Sequence, residues 1–288
     1  MAYTTVNKST AHFNTITYTG NAASTRAITG VGFQPDLLWI KNRDDGTRYH
    51  VLADAVRGAN GSGAMNLLYS NDHQAENTTD TANIKSLDSD GFTVGSDNNV
   101  NKNSAGQVAW NWKANGAGSA NTAGTINSTV SVNTTAGFSI VSYTGNGTQP
   151  STVGHGLGVT PALIIIKPRS IAYSWCVYHQ GMGNDKLAYL DTNGGESGSS
   201  AWNDTSPTNS VFTVNDNQVN KSGETHIAYC FAEITGYSKF GSYKGNGSSN
   251  GTFVYTGFEP AFIMVKRSDG GSENWFILDN KRDDGVNP

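Results

Sequence analysis

Charged side chains are scarce in this sequence, and their scarcity limits the kind of fold that it can form. Asp, Glu, Lys and Arg together make up 15% of the 288 residues, whereas ordinary globular domains contain about 25%. Gly, Asn, Thr and Ser take their place, and these residues populate turns and disfavour long helices. We therefore expect a protein with little helix.

Basic clusters, long apolar runs and a leader-like opening are also missing. The net charge is −4 and no basic tract is present, which argues against a nucleic-acid or anionic-membrane partner. Apolar runs such as Ala162–Ile166 are far shorter than the roughly 18 residues of a membrane helix. The opening MAYTTVNKST has neither the basic nor the apolar region of a secretory signal. Neither nucleic-acid binding nor membrane insertion is expected.

Cysteine occurs only twice, at Cys176 and Cys230. A disulfide across neighbouring strands is one alternative. Two buried free thiols are the interpretation that we favour, because buried cysteines behave as small hydrophobic residues and no secretory route is visible.

Repetition is what the sequence has in abundance, and a recurring unit is the first clue to an architecture. Three copies of one pattern occur in the same order: Tyr-x-Gly-Asn, then a proline, then a hydrophobic run that ends in lysine six positions after the proline, then a ring-bearing residue. The tyrosines are Tyr18, Tyr143 and Tyr243. The proline-to-lysine runs are 35–41, 161–167 and 260–266, and the ring-bearing residues are Tyr49 or His50, Trp175 and Trp275.

Two of the copies share a closing segment as well. Gly91–Ala114 and Ser210–Glu233 both contain Phe-Thr-Val, then Val-Asn-Lys, then a strand with alternating aromatic residues. We therefore divide the chain into copy one (1–114), a linker rich in Gly, Asn, Ser and Thr (115–137), copy two (138–235) and a truncated copy three (236–288). The linker includes 129–133 as an optional edge strand. Half a sandwich leaves edges open, so we expect the chain to be a fragment of a longer reading frame. The alternative is that another element completes copy three.

The spacing of apolar residues predicts an antiparallel β-sandwich in each copy. The predicted strands of copy one are 13–18, 37–41, 49–53, 64–69, 92–95 and 107–113. The runs that end in lysine are apolar at consecutive positions, which predicts strands covered on both faces at the centre of a sheet. The repeated tryptophans are predicted to be core residues: Trp39, Trp110, Trp112, Trp175 and Trp275. The fold class is all-β, with tandem lectin- or jelly-roll-like repeats.

Residue combinations typical of catalysis are not evident. The sequence contains no Gly-x-Ser-x-Gly, no His-Glu-x-x-His and no phosphate-binding loop. Asp54-x-x-Arg57 and Asp279-x-x-Arg282 are interpreted as local surface ion pairs that contribute little. We expect neither an enzyme nor a cofactor.

Two candidate ligand sites remain. Asp88, Asp90 and Asp97 bring three carboxylates near Gly91, and such oxygen ligands can hold Ca²⁺. Copy two lacks the first two of these acids, so a solvated turn is the interpretation that we favour.

The second candidate is Trp202, which lies in a predicted loop and has no tryptophan counterpart in copy one. An exposed indole flanked by Asn203 and Asp204 could stack on a sugar ring and hydrogen-bond its hydroxyls. Packing of this loop against its own sandwich is the alternative.

The copies resemble a tandem repeat of tailed bacteriophages. The order Phe-x-x-x-x-Tyr-Thr-Gly-Asn, Gly-Phe-x-Pro, hydrophobic strand ending in Lys, and Trp-x-x-x-Asp-x-x-Arg is similar to virion proteins and predicted tail-fibre components of marine cyanophages and their relatives. The resemblance covers about residues 13–288, and copy two departs from it at Asp-x-x-Arg.

This resemblance implies a concanavalin- or lectin-like sandwich, synthesis in the host cytoplasm and a place in the virion. It implies other virion proteins as partners, contact with host-surface polysaccharide, and a homo-oligomer that is a trimer in a fibre. The leading hypothesis is a tail fibre or appendage component that binds host glycans. The alternatives are a capsid decoration or head-fibre protein and, third, a polysaccharide depolymerase.

Overall fold

The computed structural model describes residues 4–282, and it confirms the predicted all-β class. Its helices are a single 3₁₀ turn at Ser9–Ala11 and two one-turn α-helices, α1 (Asn98–Asn101) and α2 (Asn217–Asn220). No helix within the described range is long and apolar enough to cross a membrane. All of the strand pairs below are antiparallel.

Copy one is a sandwich of a five-stranded and a three-stranded sheet, with strand orders β1-β8-β3-β4-β5 and β2-β7-β6. Its strands are β1 (Phe13–Thr19), β2 (Arg26–Thr29), β3 (Leu37–Asn42), β4 (His50–Asp54), β5 (Leu68–Tyr69), β6 (Ile84–Asp88), β7 (Gly91–Val94) and β8 (Gly106–Trp112). Six of these strands correspond to predicted ones. The sequence prediction missed β2 and β6, whose short alternating segments contain few large apolar residues.

Five strands of the large sheet of copy two have the same order as in copy one, and β16 at one edge and two strands from 115–137 at the other extend this sheet to eight: β16-β15-β14-β13-β18-β11-β10-β9. A second sheet of two strands, β12-β17, packs against one face of this large sheet. The strands are β9 (Ser119–Asn121), β10 (Ser128–Asn133), β11 (Phe138–Thr144), β12 (Ser151–Gly154), β13 (Leu163–Pro168), β14 (Cys176–His179), β15 (Lys186–Tyr189), β16 (Ser197–Gly198), β17 (Val211–Val214) and β18 (Thr225–Phe231). The optional strand at 129–133 is therefore present as β10, but β9 and not β10 forms the edge of the sheet. The stretch 115–137 is not a free linker.

The described part of copy three contains one hairpin, β19 (Phe262–Val265) and β20 (Phe276–Asp279). In copies one and two the matching strands are β3 with β4 and β13 with β14. These four strands have neighbours on both sides in their sheets, whereas β19 and β20 pair only with each other among residues 4–282. The last residues of the predicted copy three, 283–288, lie outside the described range.

The strand registers of copies one and two correspond residue by residue. Trp110 lies opposite Trp39 in copy one, and Tyr229 lies opposite Ile165 in copy two. Both β3 and β13 lie inside their sheets and are buried along almost their whole length. The prediction of central strands covered on both faces is confirmed for these two copies.

Three clusters of buried side chains hold the chain together. One lies between the two sheets of copy one, and a second lies between those of copy two. The third, which we call the shared core, is formed by the opposite faces of the two large sheets together with the β19–β20 hairpin. Its members include Leu37, Trp39, Trp110, Trp112, Phe138, Ile165, Trp175, Tyr229, Phe262, Met264, Trp275 and Ile277. The repeated tryptophans therefore pack between copies rather than inside one copy.

Two of the repeated motifs bind each other within each complete copy. The hydroxyl of Tyr18 donates to the Val100 carbonyl at 2.6 Å, and Tyr143 donates to Val219 at 2.6 Å. A Cβ on Gly20 would lie 2.0 Å from the carbonyl oxygen of Lys102, so only glycine permits this approach. Tyr-x-Gly-Asn and Val-Asn-Lys therefore recur together because each supplies the partner of the other.

Both cysteines are buried free thiols, as we favoured. Cys176 and Cys230 lie on β14 and β18, the two strands that flank β13. Burial raises the pKa of Cys176 above its usual range and that of Cys230 to about 12.

Candidate interaction surface

The predicted sugar-stacking residue, Trp202, is buried, so the prediction of an exposed indole is wrong. The residue is 2% exposed, its Nε1–H donates to the Lys186 carbonyl at 2.9 Å, and its ring packs edge-on against Tyr178 at 5.8 Å. Asn203 and Asp204 do reach the surface, in a turn where their φ angles are 50° and 48°. The candidate glycan site therefore lacks the exposed indole on which a sugar ring would stack.

Trp202 is buried because it has a core counterpart of a different residue type in copy one. The Gly95 N–H donates to the Asn83 carbonyl at 2.7 Å, and the corresponding Asn215 N–H donates to Ala201 at 2.9 Å. The residue that follows each acceptor is Ile84 in copy one and Trp202 in copy two, and both pack into the core between the two sheets. Trp202 thus has in copy two the core position that Ile84, the first residue of β6, has in copy one.

The three carboxylates of the predicted calcium site serve separate hydrogen bonds. Asp88 accepts from the Thr93 hydroxyl at 2.7 Å, Asp90 accepts from the Gly32 N–H at 2.6 Å, and Asp97 caps α1. Within residues 4–282, no three His, Cys, Asp or Glu side chains are grouped so that they could hold a metal ion. The three acids therefore do not form the candidate calcium site; they stabilise turns and a helix start, in agreement with the interpretation that we favoured.

The pair Asp54–Arg57, predicted to be a surface ion pair, is fully buried where copy two meets copy one. Both side chains are inaccessible, and the Arg57 Nε bonds to the Asp54 Oδ2. The same oxygen accepts a 2.7 Å hydrogen bond from the Tyr229 hydroxyl of copy two. The prediction of a surface pair is wrong because a neighbouring copy covers it. Burial raises the pKa of Tyr229 well above its usual value, so this hydroxyl stays a donor.

A second carboxylate extends this network across the boundary between the copies. Glu76 accepts from the Arg57 Nη1 at 3.0 Å and from the Arg169 Nη2 of copy two at 2.7 Å. The Glu76 N–H also donates to the Arg169 carbonyl at 2.7 Å. Burial alone disfavours a charged guanidinium, but the facing anions, Asp54 first, outweigh that effect and raise the pKa of Arg57. The charges are thus compensated inside the protein.

Copy three repeats the arrangement against copy one. Asp279 accepts from the Arg282 Nε at 2.6 Å and from the Trp110 Nε1 of copy one at 3.0 Å. The Arg282 guanidinium lies 5.1 Å from the centre of the Trp110 ring. In copies one and three, therefore, the aspartate of the acid–arginine pair accepts a hydrogen bond from an aromatic side chain of another copy.

The ring-bearing residue of the repeat also joins successive copies. The Trp175 Nε1 of copy two donates to the Tyr69 carbonyl of copy one at 2.9 Å. The Trp275 Nε1 of copy three donates to the matching Tyr189 carbonyl of copy two, also at 2.9 Å. The interfaces between copies one and two and between copies two and three thus use the same contact.

The repeated lysine has a corresponding role. The Lys167 Nζ donates to the His73 carbonyl of copy one at 3.2 Å, and the Lys266 Nζ donates to the Asn193 carbonyl of copy two at 3.1 Å. Lys167 is completely buried, and this burial lowers its pKa to about 8. In copies two and three this lysine therefore fastens its copy to a loop of the preceding one, whereas Lys41 of copy one donates to the Asp45 and Arg48 carbonyls of its own copy.

Copy two has a different pair where the other copies have the acid and the arginine. His179 and Met182 take these positions. Met182 packs against the shared core, and the His179 ring lies 6.5 Å from that of Phe240 in copy three. The interface between copies two and three thus has His179 and Met182 in place of a buried acid–arginine pair.

The surface feature that stands out is an apolar face on copy three, which we call the open face. The alternate residues of β19 and β20 point away from the shared core and are exposed, and the segment 253–255, which precedes β19 in the chain, adds three more exposed large apolar side chains. Its members are Phe253, Val254, Tyr255, Ile263, Phe276 and Leu278. Exposed large apolar side chains in such number are typical of an interaction site.

The sequence contained a signal for part of this surface. The Phe-Thr-Val and Val-Asn-Lys motifs of the closing segment occur in copies one and two. The apolar residues at 262–265 repeat those of the central strands, which predicts a strand that must be covered on both faces. The buried acid–arginine pair had a weaker signal, because its pattern recurs but nothing local indicates that a second copy covers it.

A family model described as a domain of unknown function, DUF7483, matches residues 8–287. No curated protein and no solved structure matches the chain.

Proposed function

The chain belongs to the DUF7483 family, whose description assigns no activity, and we propose that it is a non-enzymatic structural protein of a tailed-bacteriophage particle. In this proposal it is part of a tail fibre or a similar appendage and is held there by contacts with other virion proteins. The virion role rests on the resemblance of the repeat, and the mode of attachment rests on the structure.

The observation that carries the proposal is the open face. Phe253 is 86% exposed, Tyr255 is 77% exposed and Phe276 is 58% exposed. Monomeric soluble proteins rarely leave such residues together in water, and larger apolar patches mark protein or membrane contacts. Ile263, Phe276 and Leu278 lie on strands β19 and β20, and an uncovered strand edge is a template for another polypeptide strand. A protein partner fits this surface better than a sugar does.

The buried charges support a structural role in a different way. Asp54 and Glu76 would be natural candidates for acid–base chemistry, since both carboxylates bind the same buried guanidinium, that of Arg57. Their oxygens are occupied by Arg57, Tyr229 and Arg169. These groups therefore hold copies one and two together. Host-glycan binding stays a prediction of the resemblance, and the buried Trp202 provides no stacking surface for it.

Immunogold electron microscopy of purified particles tests the proposal. Antibodies raised against the 288-residue chain should label the tail fibres or another appendage of the phage that encodes it, and preimmune serum should not. Label over the capsid would favour the decoration-protein alternative and overturn the tail assignment. Intact particles without label would overturn the virion role. Release of reducing ends from host polysaccharide by the purified chain would overturn the non-enzymatic assignment.

A further inference from the structure

The open face of copy three matches surfaces that are covered in the other copies. Leu38 and Ile164 occupy the position of Ile263 on the central strands of copies one and two, and both are completely buried. Ile263 is 42% exposed. The residues that match Phe276 and Leu278 are also buried, in the cores between the two sheets. The open face is therefore a core surface whose cover is missing from residues 4–282.

The complete copies show what the cover consists of on the small-sheet side. In copy one β7 pairs with β2, so that Phe92 lies opposite Ile28. In copy two β17 pairs with β12, so that Phe212 lies opposite Val153. Phe253 has the position of Ile28 and Val153, ten residues after the repeated tyrosine. The cover therefore begins with a strand of the Phe-Thr-Val type.

On the large-sheet side the cover is a strand with alternating aromatic residues. β8 lies beside β3, and β18 lies beside β13. β20 occupies one edge of β19, and the other edge carries no strand within the described range. Main-chain N–H and C=O groups along such an edge accept a further strand.

A third element of the cover is the Val-Asn-Lys turn. In the complete copies this turn accepts the hydroxyl of Tyr18 or Tyr143, and Tyr143 is only 3% exposed. Its asparagine, Asn101, accepts from the Asn21 N–H at 2.9 Å. Tyr243 and Asn246 repeat the tyrosine and the asparagine of the first motif, yet Tyr243 is 54% exposed. The described part of copy three thus contains the Tyr-x-Gly-Asn motif but not the Val-Asn-Lys turn that binds this motif in copies one and two.

We propose that the open face binds a polypeptide segment of the closing type: a Phe-Thr-Val strand, a Val-Asn-Lys turn and an aromatic strand, in the order found at Gly91–Ala114. This segment completes the third sandwich by strand addition. The argument is continuity with established interfaces, because copies one and two show the same surface already covered. The inference deepens the proposed function and rests on it for the idea that a protein partner is the occupant.

A synthetic peptide of residues 91–114, labelled with a fluorophore at its N-terminus, is the probe. Titrated with the full 288-residue chain, it should show saturable binding by fluorescence anisotropy. Bound peptide should slow amide hydrogen exchange along β19 and reduce the binding of an apolar dye. A peptide in which Asn101→Ala removes the buried amide should bind at least about tenfold more weakly, because a buried polar contact is lost.

Variants of the chain locate the site. Phe276→Asp places a charge on the open face and should weaken binding more than about tenfold, and Tyr243→Phe should weaken it by a smaller factor, since only a hydroxyl donor is lost. Both residues are exposed, so the variants should keep the native thermal midpoint. Val159→Asp is the matched control, because Val159 is 43% exposed in copy two, away from the open face; it should leave binding unchanged.

Three results would overturn the inference. The first is absence of binding by the 91–114 peptide, and the second is binding that Phe276→Asp leaves intact. The third is self-association of the chain, measured by sedimentation, that Phe276→Asp abolishes, because a second copy would then be the occupant. None of these results bears on whether particles carry the protein, so immunogold labelling separates failure of this inference from failure of the proposed function.

Discussion

Replacement of Arg57 by methionine should destabilise the protein severely, although the sequence alone suggested a minor effect. Arg57→Met keeps a flexible side chain of similar length but removes the positive charge between Asp54 and Glu76. The variant also removes the donors that reach the Asn66 and Leu52 carbonyls, each at 3.1 Å. The buried carboxylate of Asp54 is then left without a cation.

The size of the effect follows from burial. Removal of one partner of a buried ion pair costs about 3–5 kcal/mol, because the remaining charge stays desolvated. Exposed pairs contribute about 0–1 kcal/mol. Both side chains of the Asp54–Arg57 pair are completely inaccessible, whereas those of Arg267 and Asp269 are 53% and 85% exposed. We therefore expect Arg57→Met to lose about 3–5 kcal/mol and the control Arg267→Met to lose less than about 0.5 kcal/mol.

Copy two indicates which pair of residues can replace the buried acid and arginine together. Copy two has His179 and Met182 at the positions of Asp54 and Arg57. Replacing both members of a buried ion pair by less charged groups of similar volume is often close to neutral. The double variant Asp54→His with Arg57→Met should therefore recover more than half of the loss of the single variant.

Urea unfolding followed by tryptophan fluorescence measures these differences, provided that the slope of free energy against urea stays the same among the variants. A loss below about 1 kcal/mol for Arg57→Met would mean that water reaches the pair, and the account of a covered interface would be wrong. A double variant no more stable than the single one would contradict the assignment of the cost to the uncompensated carboxylate.

Three further predictions concern single buried groups. Burial lowers the pKa of His226 to about 4, from 6.5 in an unfolded chain. The unfolded state therefore binds more protons between these values, so stability falls on acidification from pH 6.5 to 4, and His226→Phe should remove about 3 kcal/mol of that fall. Trp202→Ala should lose about 3–5 kcal/mol of unfolding free energy, as large-to-small changes in a core do. Ellman's reagent should react with neither Cys176 nor Cys230 in the native protein and with both after denaturation, because both are buried thiols with raised pKa values.

Each of these predictions has an outcome that contradicts it. An unchanged difference in stability between pH 6.5 and 4 in His226→Phe would exclude this ring as an acid-sensitive group; Glu224 and Lys167, which also influence it electrostatically, are unchanged in the variant. A Trp202→Ala loss no larger than that of Tyr243→Ala, an exposed aromatic control, would place the indole at the surface. Rapid modification of a native thiol would show that its strand opens to solvent.

The fold class and the central strands could be predicted because they depend on local patterns. The run from Leu37 to Lys41 is apolar at consecutive positions, and such a strand needs cover on both faces wherever it lies. The nature of that cover could not be predicted. One face of β3 meets the small sheet of its own copy and the other meets copies two and three, and no local pattern distinguishes these two kinds of neighbour.

The errors about single residues have the same origin. Asp54 receives its third hydrogen bond from Tyr229, 175 residues away along the chain, so a reading of the local Asp-x-x-Arg spacing could not detect its burial. Trp202 was taken as a loop residue because copy one has no tryptophan there. Its core counterpart, Ile84, differs from it in size and shape, and only the matching backbone hydrogen bonds reveal the correspondence.

The contacts between copies have a direction, and the direction implies a ring rather than a string. Tyr229 of copy two donates to Asp54 of copy one, and Trp110 of copy one donates to Asp279 of copy three. In the second contact copy one takes the place that copy two has in the first, and copy three takes the place of copy one, so copy one follows copy three around the shared core. In a string, copies one and three would not touch, whereas here Phe262 of copy three packs against the rings of copy one. Three copies in one chain can vary each junction separately, as His179 shows, and a homotrimer of one repeat could not do so.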